Sequence, residues 1–186
     1  MQAVIIRRLL VQENVRIPEE HYKLIDPFCN FYLRFFEDNS KMSKDFWLSN
    51  IESQSIVTWR GLAFENVCFN HIPQIKKALG ISGVSTKEFA WSKRREEEET
   101  GTQIDMVIER KDNIVNMCEM KFYGSEVSVD KTYDLVLWNR VLLLSKYISP
   151  KMSVCSVLIT TFGLKHNEYS GDFYKVITMD DLFDSR

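Results

Sequence analysis

Several features that would quickly indicate a function are missing from this chain of 186 residues. Glycine is scarce, and none of the seven glycines belongs to a Gly-x4-Gly-Lys-Ser/Thr loop, so ATP hydrolysis by this polypeptide is not expected. The three histidines and four cysteines show no metal-ligand spacing. No apolar run approaches the roughly 18 residues of a membrane-spanning helix, and residues 1–10 lack the pattern of a signal peptide.

The chain also has no large excess of charge of either sign, because its formal net charge is only −2. This value argues against a protein that coats nucleic acid constitutively. The cysteines lie in apolar contexts, which predicts reduced thiols in a cytoplasmic protein: Cys29, Cys68, Cys118 and Cys155.

The composition permits one substantial core, since 45% of the residues are hydrophobic. We divide the chain into an N-terminal helical segment with a linker, residues 1–53, and a main domain, residues 54–186. Residues 41–50 are the linker candidate. Aromatic residues before the linker recur at helical spacing and predict a stripe that packs on the main domain or, alternatively, docks a partner: Phe28, Phe31, Tyr32, Phe35 and Phe36.

The main domain alternates between two hydrophobic periodicities. Helical spacing covers 54–79, interrupted at Pro73, and again 130–149, where Asp130 is a candidate N-cap. Strand-like segments are 84–91, 102–110, 114–122, 153–162 and a short 175–178. A charged run at 93–100 is interpreted as a solvated connection. The order predicts an α/β fold, a mixed central sheet with helices on both faces.

The second and third of these strands form a predicted hairpin around Lys111-Asp112-Asn113. With a three-residue turn, Asp105 lies directly opposite Glu119 and Lys121 projects from the same face. With a two-residue turn, the register slips by one and Glu119 moves to the other face. We expect one face to carry Ile104, Met106, Ile108, Cys118 and Met120, and the other to carry Val107, Val115 and Met117 beside the polar trio.

Two carboxylates at cross-strand distance repel each other and raise one pKa unless a cation lies between them. Magnesium takes such oxygen ligands, and a nearby ammonium can orient water or stabilise developing charge. Asp105, Glu119 and Lys121 therefore suit metal-assisted phosphodiester hydrolysis. The alternative is a surface cross-strand ion pair, because Glu-x-Lys occurs by chance in a chain of this composition.

Other polar residues have less specific settings. Glu65 lies in the first helix with apolar neighbours, so it is either a solvent-facing residue or a third acidic group at the site. His71 has no ligand partner at a recognised spacing and is interpreted as structural. Lys131 and Arg140, on the second long helix, are expected to face solvent, although either could face the site.

The motifs Trp59-Arg-Gly-Leu-Ala-Phe-Glu65-Asn-Val, Gly101-Thr-Gln-Ile-Asp105 and Cys118-Glu119-Met-Lys121-Phe resemble those of the PD-(D/E)xK, or restriction-endonuclease-like, superfamily. More closely, the chain from about Tyr22 onward is similar to the nuclease-like C-terminal domain of a family of prokaryotic AAA-type ATPases. The resemblance implies an αβββαβ core that binds magnesium or manganese. It further implies Glu65, Asp105, Glu119 and Lys121 as catalytic residues, with Asp105, Glu119 and the main-chain carbonyl of Met120 as metal ligands.

The resemblance also implies DNA as substrate and an AAA-type ATPase as partner or as a missing N-terminal portion. This chain departs from those ATPases because it has no phosphate-binding loop. Two functions remain open. One is a metal-dependent nuclease, and the other is a catalytically inactive module of the same fold that binds DNA or an ATPase.

Overall fold

The computed structural model describes the backbone of residues 3–12, 15–24, 26–37, 44–94 and 101–184, and within these ranges the side chains from Leu24 onward. Seven strands lie in the described residues: β1 (Ala3–Gln12), β2 (Val15–Leu24), β3 (Thr86–Lys93), β4 (Thr102–Arg110), β5 (Ile114–Lys121), β6 (Ser153–Thr160) and β7 (Lys175–Ile177). The same residues form six α-helices: α1 (Pro27–Phe35), α2 (Phe46–Asn50), α3 (Gln54–Asn70), α4 (Ile72–Ala78), α5 (Lys131–Lys146) and α6 (Met179–Phe183).

The strands form one mixed sheet in the order β2-β1-β3-β4-β5-β6-β7. Antiparallel pairing joins β1 to β2, β3 to β4 and β4 to β5, whereas β1–β3, β5–β6 and β6–β7 are parallel. The α5 crossover connects the parallel strands β5 and β6, as a parallel pair requires. The predicted α/β class with a mixed sheet is confirmed.

The N-terminal part contains more than the predicted helices. Helices α1 and α2 are present, but a β-hairpin of β1 and β2 precedes them and joins the sheet through β3. Part of the predicted linker is also helical, because α2 begins at Phe46. Residues 41–43 of that linker lie outside the described residues.

The β4–β5 turn has the predicted length of three residues. Arg110 ends β4 and Ile114 begins β5, and Asn113 adopts a left-handed backbone with φ of 66°. Asparagine tolerates this conformation better than most residues. In hairpins with three-residue turns, the third turn residue usually adopts it. The ladder runs from Glu109 opposite Val115 to Met106 opposite Cys118, and continuing this register by one residue sets Asp105 opposite Glu119.

A β-bulge lies immediately beside Asp105. Between β3 and β4 the register shifts, because Phe89 pairs with Val107 but Trp91 pairs with Ile104. Two residues of β4, Asp105 and Met106, thus lie opposite Ala90 alone, and the alternation of side chains is interrupted there. The prediction that Ile104 shares a face with Met106 and Ile108 is therefore wrong.

Each face of the sheet has its own apolar core. The face that we name the α3 face packs against α3, α4 and α6 and carries Met106, Ile108, Cys118 and Met120, with Phe64 and Cys68 of α3 above them. The opposite face, named the α5 face, carries Trp91, Ile104, Val107, Val115 and Met117 beneath Leu137 and Leu144 of α5. Because side chains alternate along β5, Glu119 and Lys121 project to the α5 face.

Helix ends follow their sequence signals. Ser53 caps α3 by accepting from the N–H of Ile56 at 3.4 Å, and Asp130 caps α5 by accepting from the N–H of Tyr133 at 2.7 Å. The predicted interruption near Pro73 is the break between α3 and α4, where proline occupies the first turn of α4. No helix among the described residues is long and apolar enough to cross a membrane.

Two expectations about charge and thiols need correction. Lys93 is the last residue of β3 and is buried rather than solvated, while residues 95–100 of the charged run lie outside the described part of the chain. All four cysteines are free thiols. Cys68 and Cys118 are buried as predicted, but Cys29 and Cys155 are only partly buried.

Candidate active site

The candidate site lies where β4 and β5 stop pairing. The last paired residues are Met106 and Cys118, and beyond them the N–H of Met120 donates to Oδ2 of Asp105 at 3.1 Å. The carboxylate of Asp105 thus takes the place of a main-chain acceptor on β4. The carbonyl of Met120 faces the same gap, because the N–H and C=O of one strand residue point toward the same neighbouring strand.

Glu119 is the centre of the polar network on the α5 face, and its side chain is 0% exposed. Its Oε1 pairs with Nη1 of Arg140. Its Oε2 has longer contacts, with the hydroxyl of Tyr133 at 3.5 Å and Nζ of Lys121 at 3.9 Å. A fully buried carboxylate beside two cations and a phenol is not the surface cross-strand ion pair that the alternative interpretation predicted.

The electrostatics of Glu119 follow from this setting. Burial raises the pKa of its carboxyl above the usual value, Arg140 opposes that rise, and the neighbouring charge of Asp105 adds to it. The mutual repulsion expected for opposed carboxylates is therefore present. The cation that partly offsets it is the guanidinium of Arg140 on a neighbouring helix, rather than only the lysine of the same strand.

Lys121 lies at the outer edge of the network. Its side chain is 31% exposed, and Nζ lies 5.8 Å from the ring centroid of Tyr133. Thr160 pairs with Lys121 across the parallel β5–β6 ladder, and within the described part of the chain its buried Oγ1 has no hydrogen-bond partner. The ammonium therefore has one side toward the buried glutamate and another toward solvent, where a substrate could reach it.

Helix α5 supplies two residues that the sequence did not assign to the site. Tyr133 and Arg140 are two helical turns apart, so both lie on the side of α5 that packs on the sheet. The expectation that Arg140 faces solvent is wrong, whereas Lys131 is exposed as expected. The missed signal is the spacing, because Arg140 lies beside Leu137, Val141 and Leu144 on the apolar stripe of this helix.

Glu65 lies on the other side of the sheet. It is on α3, one turn before Cys68, and its charge adds to the burial that raises the pKa of the Cys68 thiol. The charge of Asp105 acts on the same thiol, so both carboxylates lie near Cys68. The charge of Asp105, at the bulge, thus acts both on the Cys68 thiol at the α3 face and on the Glu119 carboxyl at the α5 face.

His71 is used by the fold. Its Nδ1 lies 2.7 Å from the carbonyl of Val67, and its ring packs on Phe183 with centroids 4.6 Å apart. These contacts join the end of α3 to α6 and agree with the structural role predicted for this histidine.

The donor set at the site can be compared with the needs of a divalent cation. Among the described side chains, no group of three or more His, Cys, Asp and Glu residues is arranged to hold a metal ion. Asp105, Oε2 of Glu119 and the carbonyl of Met120 nevertheless offer hard oxygen donors, and magnesium commonly uses one or two carboxylates and completes its shell with water and phosphate oxygens. This chemistry fits magnesium or manganese, with Arg140 retained on Oε1 of Glu119.

Comparisons with known proteins add little to this geometry. No protein-family model matches the chain, and no curated protein matches it. Among solved structures, a crystal structure described as "Protein of Unknown Function AF1548" is similar over 60% of this chain, with 18% identity and a TM-score of 0.39. The chain spans 56% of the length of that protein. None of these findings bears on the PD-(D/E)xK resemblance, which stays a prediction.

Proposed function

We propose that this chain is a metal-dependent nuclease domain that hydrolyses phosphodiester bonds in DNA in the cytoplasm. The observation that carries the proposal lies at the strand fork, our name for the point beyond Met106 and Cys118 where β4 and β5 separate. There the carboxylate of Asp105 accepts from the N–H of Met120, the residue between Glu119 and Lys121 on β5. Two acids and an amine at one strand fork suit phosphodiester hydrolysis better than they suit stability, since a buried carboxylate usually costs more than its ion pairs return.

Each residue has a role that follows from its position. Asp105 is held by the N–H of Met120 and, with Glu119 and the Met120 carbonyl, would hold magnesium or manganese. Lys121 is partly exposed, so its ammonium can contact a phosphate oxygen and orient an attacking water while Glu119 limits its movement. Arg140 favours the ionised form of Glu119, because its charge opposes the rise in the pKa that burial causes.

The bound ion would supply a Lewis acid for the phosphate and a source of activated water. Tyr133 closes the site on the side of α5, because its hydroxyl contacts Glu119 and its ring lies beside Lys121. Glu65 is proposed as an assisting acid on the α3 face, where its charge and that of Asp105 act on the same thiol, Cys68.

The test is cleavage of plasmid DNA, single-stranded DNA and RNA in the presence of magnesium or manganese. Lys121→Ala is expected to lower the cleavage rate by about 100-fold or more, the usual effect of removing a group that stabilises the transition state. Lys131→Ala is the matched control, because it removes an exposed lysine from the first turn of α5 without touching the network. Equal rates for the two variants would assign the cleavage to another site or to a contaminant.

A second candidate function is a catalytically inactive module that binds DNA or an AAA-type ATPase. The pairing of Glu119 with Arg140 favours it, because a guanidinium already pairs with one of the two carboxylates among the proposed metal ligands. Calorimetric titration with manganese separates the two functions. Manganese binding that Asp105→Asn abolishes supports the nuclease, whereas no binding together with no cleavage supports the inactive module.

A further inference from the structure

A second concave site lies away from the strand fork, between α1 and α3. It is a cavity of about 390 Å³ beside the last residue of β2. This volume is within the usual range for small-molecule sites, which are mostly apolar with a few placed polar groups. The described residues that line it combine both kinds: Leu24, Asn30, Arg34, Thr58, Trp59, Leu62, Ala63 and Asn66.

The buried end of the cavity carries an amide that is only half used. Asn66 is 7% exposed, and its Nδ2 donates to the carbonyl of Leu24 at 3.3 Å. This bond fixes the orientation of the amide, because a carbonyl cannot bond to the amide oxygen. The Oδ1 of Asn66 is buried and has no hydrogen-bond partner among the described residues. A buried acceptor without a partner calls for a donor, and a ligand in the cavity can supply one.

One wall of the cavity is the indole of Trp59, which neighbouring rings hold in place. Trp59 packs against three other rings, with centroid distances of 5.2 Å to Phe31, 6.0 Å to Phe35 and 6.2 Å to Trp47. Leu62 and Ala63, also on α3, extend the apolar surface beside it. A fixed aromatic wall with aliphatic neighbours suits a flat ring system, which can stack without a large cost in side-chain order.

The rim supplies positive charge. Arg34 is exposed at the last turn of α1 and lines the cavity, and it forms no ion pair with a described residue. The side chain of Asn30 lies near it but is occupied, because its Nδ2 donates to the Leu24 carbonyl at 2.6 Å. The lining of the cavity thus combines a buried acceptor on Asn66, the indole of Trp59 and an exposed cation on Arg34.

We propose that this cavity binds one nucleotide unit. The base, which always carries a ring N–H or an amino group, donates to Oδ1 of Asn66 and stacks along Trp59, and the phosphate meets Arg34. These contacts use features that all bases share, so the proposal is not specific for one base. It does not depend on hydrolysis at the strand fork.

The test uses the full chain labelled with ¹⁵N, without divalent cations, titrated with AMP and separately with adenosine. AMP is expected to shift the side-chain amide of Asn66 and the indole N–H of Trp59 saturably. Adenosine is expected to bind about fivefold more weakly, because an exposed arginine–phosphate contact contributes at most a modest amount. A 5′-phosphorylated short oligodeoxyadenylate and its unphosphorylated form distinguish a free nucleotide from a strand end.

Two variants examine the two polar contacts separately. Arg34→Ala is expected to remove the preference for AMP over adenosine and leave adenosine binding unchanged. Asn66→Leu, which nearly conserves side-chain volume, is expected to abolish binding of both. Lys151→Ala removes an exposed lysine elsewhere and should change neither titration. The titrations contain no divalent cation, so failure of the nuclease proposal leaves this one intact.

Three results would overturn the inference. The first is no saturable shift at AMP concentrations on the order of 10 mM, where even a millimolar ligand would nearly saturate the site. The second is equal binding of AMP and adenosine by the unaltered chain. The third is unchanged AMP binding by Asn66→Leu. Because Arg34 is exposed, Arg34→Ala stays informative even if Asn66→Leu fails to fold.

Discussion

Replacing Arg140 with methionine should destabilise the protein in a way that depends on pH. The substitution keeps an unbranched side chain in place but removes the guanidinium that pairs with the fully buried Glu119. Lys121 at 3.9 Å and Tyr133 at 3.5 Å are then the closest polar partners of this carboxylate. Removing one member of a buried pair is costly, because the remaining charge has lost both water and its partner.

The cost has an upper bound, since Glu119 can take up a proton instead of staying charged. Its ordinary pKa is 4.5, so protonation at pH 7 costs about 3.4 kcal/mol, from a difference of 2.5 pH units at about 1.4 kcal/mol each. At pH 5 the same bound falls to about 0.7 kcal/mol. Some of this cost is already present in the unaltered protein, where burial raises the pKa of Glu119. We therefore expect a loss of about 2–3 kcal/mol at pH 7.

The sign follows from linkage. A carboxyl whose pKa is raised on folding contributes stability that is complete below its unfolded pKa and is lost as the pH rises through the folded pKa. Arg140→Met raises the pKa of Glu119 further, so the variant should approach the unaltered protein near pH 5 and differ most at neutral pH. Urea unfolding followed by circular dichroism at the two pH values measures this difference.

Two further variants make the measurement decisive. Lys131→Met, which removes an exposed cation from the same helix, should change the free energy of unfolding by less than about 0.5 kcal/mol. In the double variant Glu119→Gln and Arg140→Met, the loss in the free energy of unfolding should be the same at pH 5 and pH 7, since the buried carboxyl is gone. An equal loss for Arg140→Met at pH 5 and pH 7, or a loss below about 1 kcal/mol at pH 7, would refute the reasoning.

Three smaller effects are expected elsewhere. Asn113→Ala should lower the free energy of unfolding by about 1 kcal/mol, measured by urea unfolding, because φ is 66° at this position; Asn113→Gly should not. Asp130→Ala should lower it by about 1 kcal/mol, because the N–H of Tyr133 loses its cap; Asp130→Asn, which keeps the acceptor, should lose much less. Asp112→Asn should lower the melting temperature at neutral pH but not well below pH 4. Hydrogen bonds from Arg110 lower the pKa of Asp112, so its stabilising contribution exists above its unfolded pKa and disappears as the pH falls through the folded one.

The register of the hairpin was predictable because it depends on local chemistry. Lys111-Asp112-Asn113 offers a residue that accepts a left-handed backbone at the third position, and the alternation on both sides fixes the length of the turn. Once the turn is three residues long, the positions of Asp105 and Glu119 follow without any tertiary information.

The bulge and the role of Arg140 could not be obtained in the same way. Ile104 is apolar and suits either core, and no glycine marks the shift between Phe89 and Trp91, so the sequence carries no sign of it. Arg140 was assigned to solvent because arginine usually is exposed, yet a buried carboxylate on another element reverses that preference. Only the packing of α5 on the sheet brings the two together.

The first two strands were not predicted, for a related reason. The pairing of β1 with β3 joins segments about 80 residues apart in the chain, and nothing in a local window indicates such a partner. A short apolar run is also ambiguous between helix and strand, so the composition before α1 was compatible with the helical segment that we expected. Long-range pairing decided the outcome.

The uneven burial of the thiols makes the chain convenient for chemical labelling. Burial raises the pKa of the Cys68 and Cys118 thiols, which suppresses the reactive thiolate, and the hydrogen bond with Asp26 raises the pKa of Cys29. Cys155 is partly exposed on β6 and lines a second cavity together with Leu137 and Val141 of α5. A maleimide dye or spin label should therefore attach there first, and without any cysteine being removed it would report movement of the helix that carries Arg140.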